Sequence, residues 1–96
     1  MNKKDIYIQI KKYFLDKPIK KISVFGSFAR NEQKSSSDID ILLTPERPLG
    51  LITLSGYRIE LEKILGLHVD LGTEKGISSY IIPYIQNDIE ILYEKS

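Results

Sequence analysis

The chain lacks cysteine, carries almost no net charge and contains no long uninterrupted hydrophobic run. Without cysteine it can form no disulfide, no thiolate metal site and no cysteine nucleophile. Fourteen lysines and arginines against thirteen aspartates and glutamates give a formal net charge of +1, so we expect no direct binding to duplex nucleic acid. Charges interrupt the apolar residues of the first segment, which excludes a signal peptide or membrane span there, and we expect a cytoplasmic protein without membrane association.

What the chain does contain is enough hydrophobic sequence for one compact domain over residues 1–96, since 42% of its residues are hydrophobic. Apolar residues at helical spacing predict amphipathic helices over 3–15 and 51–65, the second ended by Gly66. Short β-branched runs predict three strands, over 20–25, 38–43 and 67–72. The predicted fold class is α+β: a small mixed sheet of three to four strands with helices packed against it.

The sequence pattern makes three further predictions, one for the second helix and one for each of the last two segments. In the second helix, the predicted apolar stripe consists of Leu54, Tyr57, Leu61, Ile64 and Leu65. Residues 76–87 also have helical spacing, although Pro83 must begin or kink that helix. The final segment alternates Ile89, Ile91 and Tyr93 with Glu90, Leu92 and Glu94, a pattern that leaves both an edge strand and a helix open.

The residues best suited to chemistry lie between positions 24 and 43. Gly26 and Ser27 end an apolar strand and begin a predicted helical turn, which leaves outward backbone N–H groups suited to an anion. Asp38 and Asp40 alternate along the next predicted strand, so they project from the same face with Cα atoms about 7 Å apart. Asp70, on the third predicted strand, joins them if that strand pairs beside the second.

Three such carboxylates point to metal-dependent chemistry on phosphates. Phosphoryl and nucleotidyl transfer need cations to neutralise the attacking oxygen and the leaving pyrophosphate, commonly two ions about 3.5 to 4 Å apart. We expect two Mg²⁺ ions, with Asp38 and Asp40 holding the one that carries the triphosphate. Asp70 completes the second site and helps to deprotonate the attacking hydroxyl. The single histidine, His68, is assigned no chemistry.

Three segments together resemble the minimal nucleotidyltransferase domain of the DNA polymerase beta-like superfamily: GSFAR at 26–30, SDIDILL at 37–43 and VDL at 69–71. The resemblance implies that Gly26 and Ser27 bind phosphate and that Asp38, Asp40 and Asp70 are the three metal-binding carboxylates. It gives Arg30 a supporting role beside the nucleotide. Asn31 departs from the glycine usual in the family, yet asparagine tolerates left-handed backbone angles better than most residues.

The same resemblance implies a biological role. Small stand-alone proteins of this family are usually antitoxins of HEPN-domain toxins, and such antitoxins can transfer AMP from ATP to a tyrosine of the toxin. ATP is therefore the expected substrate and a HEPN toxin the expected partner. Two alternatives stay open. One is an antitoxin that neutralises its toxin by binding alone, and the other is a nucleotidyltransferase that acts on a small molecule or an RNA end.

Overall fold

A computed structural model describes residues 2–26, 38–73 and 89–95, which form two helices and four strands. In chain order the elements are α1 (Lys3–Phe14), β1 (Ile19–Phe25), β2 (Ile39–Pro45), α2 (Leu51–Leu65), β3 (Val69–Thr73) and β4 (Glu90–Glu94). The predicted helical turn from Ser27 onward and the predicted helix at 76–87 lie outside the described residues.

The four strands form one mixed sheet in the order β3-β2-β1-β4. β1 pairs antiparallel with β2 and with β4, whereas β2 and β3 run parallel. Parallel neighbours need a crossover connection, and α2 supplies it between β2 and β3. The predicted α+β class, with a small mixed sheet and helices packed on it, is therefore confirmed.

Helix α1 packs on the sheet through one apolar stripe. It begins where the Asn2 side chain accepts a hydrogen bond from the Asp5 backbone N–H at 2.9 Å. Ile6, Ile10 and Phe14 are buried, as their spacing predicted. The lysines of the same helix stay on its outer side, so burial of the stripe is what fixes α1 on the sheet.

Helix α2 has the predicted bounds but a narrower buried stripe. It ends at Leu65, and the next residue, Gly66, caps it: the Gly66 N–H donates to the Glu62 carbonyl at 2.8 Å, and the φ of 67° turns the chain out of the helix. Leu61 and Leu65 are buried. The prediction that Ile64 belongs to the stripe is wrong, because Ile64 is 43% exposed. Adjacent helical positions point about 100° apart, so packing through Leu65 turns Ile64 toward the rim.

Both helices and the sheet share one hydrophobic core on the same face of the sheet. Its buried members are Ile6, Ile10, Phe14, Ile19, Ile22, Val24, Ile39, Ile41, Leu43, Leu61, Leu65 and Val69. Among the described residues, no helix has the length and apolar character needed to cross a membrane.

The last described segment is a strand, which settles the alternative between strand and helix left by its pattern. Ile22 pairs with Tyr93 but Ser23 pairs with Ile91, so the register shifts by one residue at Leu92. This irregularity puts Ile91 and Tyr93 on opposite faces, contrary to the simple alternation. Tyr93 and Leu92 pack against the core, whereas Ile91 is 52% exposed.

Candidate active site

Strand β2 carries its core residues and its acidic residue on opposite faces. Ile39, Ile41 and Leu43 are fully buried against the helices, and Asp40 lies between the first two on the other face, half-buried. The predicted strand began at Asp38, but β2 begins at Ile39. Asp38 therefore lies just before the strand and is exposed.

Asp70 lies beside Asp40 because of the register between β2 and β3. Asp40 pairs with Asp70 in this parallel ladder, one step after the buried pair Ile39 and Val69. Paired residues of neighbouring strands lie about 4.8 Å apart and share a face. Asp70 is exposed, so two carboxylates stand side by side at an accessible edge. Carboxylates at such an edge are suited to a hard divalent cation, which binds through oxygen ligands.

Gly26 lies beside this pair of aspartates, on the side of β1, and we call the three residues Asp40, Asp70 and Gly26 the acidic corner. It follows β1, has a φ of +76°, and comes directly after Phe25, which pairs with Asp40. A Cβ atom built on Gly26 would lie 2.5 Å from Oδ2 of Asp40, closer than side chains tolerate. Only glycine combines that backbone angle with that approach. The backbone of Gly26 and the carboxylate of Asp40 thus form the two walls of one corner.

Glu62, which the sequence did not single out, holds the start of β3. Its Oε2 atom accepts a hydrogen bond from the Val69 backbone N–H at 3.0 Å, one residue before Asp70. This N–H donor is the main reason that the pKa of Glu62 is lowered. The backbone N–H of Ile39 donates to the His68 carbonyl at 3.0 Å, which joins the beginnings of β2 and β3. The i, i+4 pair of Arg58 and Glu62, 3.3 Å apart, was visible in the sequence, but the contact to β3 was not.

Some predicted site residues are not brought together by the described structure. Ser27 and Arg30 lie outside the described residues. Within residues 2–26, 38–73 and 89–95, no three His, Asp or Glu side chains form a group able to hold a metal ion by themselves. Asp40 and Asp70 are adjacent, with Asp38 exposed next to the first of them. The roles of these residues in metal binding remain predictions.

A concavity lined by the end of β2 and the following loop lies away from this corner. It has a volume of about 330 Å³ and is lined by residues 44–49 and Thr73. These residues lie at the ends of β2 and β3 opposite to Asp40 and Asp70. The cavity is therefore separate from the acidic corner.

The family of the chain follows from comparison with known proteins. The family described as "Nucleotidyltransferase domain" matches residues 8–95, which is most of the chain. The chain belongs to this family. It is also 41% identical, over 88 residues, to a Methanocaldococcus jannaschii protein named "Putative protein adenylyltransferase MJ1217", covering 91% of this chain and 87% of that protein. The resemblance seen in the three sequence segments is thereby confirmed, and the chain is a nucleotidyltransferase by family.

Solved structures show the same fold at lower sequence identity. One, described as a toxin-antitoxin with AMP-PNP, superposes with a TM-score of 0.84 at 24% identity, covering 94% of this nucleotidyltransferase and 74% of that chain. Another is a tri-AMPylated Shewanella oneidensis HEPN toxin in complex with its MNT antitoxin, with a TM-score of 0.80 at 21% identity over 98% and 74% of the two chains. At these identities the likeness establishes the fold.

Proposed function

We propose that this nucleotidyltransferase is the antitoxin of a toxin-antitoxin pair and transfers AMP from ATP to a tyrosine hydroxyl of a HEPN-domain toxin in the cytoplasm. The observation that carries the proposal is the acidic corner, in which the Asp40 and Asp70 strand positions pair directly and Gly26 closes one side. The names of its relatives support the choice of protein as acceptor, and the AMP-PNP and AMPylated-toxin complexes support ATP and a HEPN partner.

The residues of the corner fit Mg²⁺ together with a nucleotide. Magnesium keeps several waters and takes only one or two protein carboxylates alongside substrate phosphates, so a pair of aspartates suffices. Asp38 and Asp40 would hold the ion that carries the triphosphate, and Asp70 would complete a second site. When bound, the ions neutralise charge on the phosphates and on the leaving pyrophosphate. The missing Cβ of Gly26 leaves Asp40 space that a larger residue would fill.

The reaction makes one bond and breaks one bond. The tyrosine oxygen attacks the α-phosphorus of ATP, the new P–O bond forms, and the bond to the β-phosphate oxygen breaks to release pyrophosphate. Asp70 accepts the proton of the hydroxyl, directly or through water, and its exposed position leaves it within reach of an acceptor on another protein. Gly26 and Ser27 bind the phosphates through backbone N–H groups and the hydroxyl, with Arg30 in support.

Intact mass of the partner tests this proposal. The candidate toxin is incubated with ATP, Mg²⁺ and either the wild-type chain, the Asp38→Asn variant or the Asp40→Asn variant. We expect the wild-type chain to add one or more AMP masses and both variants to add none. Glu94→Gln is the matched control, because it removes an exposed carboxylate at the other end of β1, where Glu94 pairs with Lys21.

The same variants distinguish the alternatives. If Asp40→Asn still protects cells from the toxin and the wild-type chain adds no mass, neutralisation by binding replaces the proposed catalysis. If label from α-labelled ATP passes to an RNA end or a small molecule and none to the toxin, that molecule is the acceptor instead of a protein tyrosine.

A further inference from the structure

We infer that a groove between α1 and β4 is the docking surface for the protein that receives AMP, and that this partner presents an acidic segment with an apolar face. The inference rests on the proposed function for the partner's identity and on the groove itself for the partner's chemistry. We call it the α1–β4 groove and define it by Lys4, Ile8, Lys11, Leu15, Glu90 and Tyr93.

Two adjoining concavities make up the groove. One, of about 610 Å³, is lined by Lys4, Ile8 and Lys11 together with Glu90. The other, of about 250 Å³, is lined by Lys11, Leu15 and Tyr93. Lys11 lines both concavities, so the two are continuous along the helix. The result is an elongated surface along the length of α1, the shape that suits a helix or an extended segment.

The apolar part of the groove is left open by the packing of the residues that the structure describes. Ile8 of α1 is 42% exposed, and Leu15, the residue directly after α1, is 77% exposed, although the other side of this helix forms the core. Positions 4, 8, 11 and 15 recur at helical spacing, so lysine and apolar side chains alternate along one stripe. An apolar stripe rimmed by charge is typical of a protein interface.

The charge of the groove determines which partner suits it. Lys4 and Lys11 are exposed, and no carboxylate among the described residues pairs with either of them. The acidic residue of the groove, Glu90, is already engaged by Lys3 at 3.2 Å and by the Tyr7 hydroxyl at 2.7 Å. The groove therefore presents positive charge, which complements acidic side chains beside an apolar face.

Two other occupants fit less well. A symmetric second copy would bring two positively charged grooves together and would supply no further acidic side chain, since the acidic residue of each groove, Glu90, is already engaged by Lys3 and Tyr7. A nucleic acid backbone would satisfy the lysines but would leave Ile8 and Leu15 uncovered, and the whole chain has a net charge of only +1.

The groove opens at the same end of the sheet as the acidic corner. Glu90 pairs with Val24, two residues before Gly26, whereas Tyr93 pairs with Ile22 further from the corner. The helices occupy one face of the sheet and Asp40 the other, so a partner held in the groove reaches the corner around the end of β1. Docking there brings a tyrosine near the nucleotide without contacting the reacting groups.

The test compares two double variants with equal change in charge. The groove variant combines Lys4→Glu with Lys11→Glu and reverses the charge of the groove from positive to negative. Lys12→Glu with Lys63→Glu is the control, because both lysines are exposed, lack ion-pair partners among the described residues and line neither concavity. With the AMP acceptor as substrate, we expect the groove variant to raise KM for the partner about tenfold or more with kcat unchanged, and the control to stay within about threefold of wild type.

A synthetic peptide probes the groove even if no AMP transfer occurs. The probe has 12 residues, the length of α1, with leucines at helical spacing flanked by glutamates, and a second peptide carries lysines instead. We expect the glutamate peptide to bind the wild-type chain and the control at least about tenfold tighter than the groove variant, measured by fluorescence anisotropy. Any one of four results would overturn the inference. These are equal binding of the glutamate peptide by all three chains, preference for the lysine peptide, preferential binding of a poly(U) oligonucleotide, and self-association through the groove. A wild-type chain that binds the peptide but modifies no protein would overturn only the proposed function.

Discussion

The two faces of β2 differ in burial and in chemistry, although their residues alternate along the same strand. On one face, Ile39, Ile41 and Leu43 have no exposed surface and contribute to the core. On the other, Asp40 lies beside Asp70, at the edge closed by Gly26. Because alternate residues of a strand point to opposite sides, stability and chemistry depend on neighbouring positions of the same strand. Substitutions at adjacent residues should therefore separate folding from activity.

The largest effect on stability is expected on the core face. Ile41→Ala removes a fully buried side chain at the centre of the sheet and leaves a cavity. It should lower the free energy of unfolding by about 2–5 kcal/mol. A lower urea midpoint with an unchanged slope measures this loss. The variant should still transfer AMP at temperatures where it stays folded, and inactivity of a fully folded protein would contradict the separation of the two faces.

The adjacent position should show the opposite behaviour. Asp40→Asn is expected to reduce AMP transfer more than about 100-fold, because even indirect partners of a metal site cost 10–100-fold. Its free energy of unfolding should fall far less than that of Ile41→Ala, since asparagine has nearly the same volume as aspartate and leaves no cavity. Thermal unfolding and transfer from α-labelled ATP measure the two properties. A large loss of stability in this variant would mean that Asp40 serves the fold rather than the reaction.

Gly26 tests whether the corner needs its close approach. Gly26→Ala and Gly66→Ala both place a side chain at a positive φ, +76° and +67°, and each should cost about 1–2 kcal/mol of stability. Only at Gly26 does the new Cβ meet Asp40, whereas at Gly66 nothing lies within 4 Å. We expect transfer to fall about 100-fold in Gly26→Ala and to be retained in Gly66→Ala, because displacement of a reacting group by about 1 Å has that cost. Equal activities would show that the contact with Asp40 is dispensable.

The smallest effect concerns the residue that holds β3. Glu62 has a pKa below its ordinary value of 4.5, chiefly because the Val69 N–H donates to its carboxylate. A lowered pKa in the folded state gives a stability contribution that is present above pH 4.5 and is lost as the pH falls through the lowered value. Glu62→Gln keeps an oxygen acceptor but no longer titrates.

The Glu62→Gln variant should therefore lose less stability than wild type when urea unfolding is repeated from pH 6 down to about pH 3. Glu60→Gln is the control, since Glu60 lies on the same helix and accepts from Tyr13 of α1 rather than from β3. An identical acid dependence in wild type and Glu62→Gln would show that the contact with Val69 does not act through the charge of Glu62.

Much of the fold could be predicted because its signals are local. Helical spacing placed α1 and α2 within one residue of their ends, and Gly66 marked the end of α2. The alternation of Asp38 and Asp40 with isoleucines assigned core and open faces to β2 before any contact was known. The predictions for Ile64 and Ile91 were wrong because their exposure depends on signals that are not local. Which residues of a stripe or strand are covered depends on the packing partner and on a register shift, and neither leaves a pattern in nearby sequence.

The sequence by itself determined both described helices, the first three strands, the acidic pair and the family, because periodicity and motif are properties of neighbouring residues. Only the tertiary structure decided that Asp70, thirty positions along the chain, stands beside Asp40, because register is set by the crossover through α2 and the burial of Ile39 with Val69. It also decided that the Asp40 carboxylate leaves no room for a side chain at Gly26 and that Glu62 accepts a hydrogen bond from the start of β3. These contacts join distant segments, so their free energy exists only once the sheet has formed.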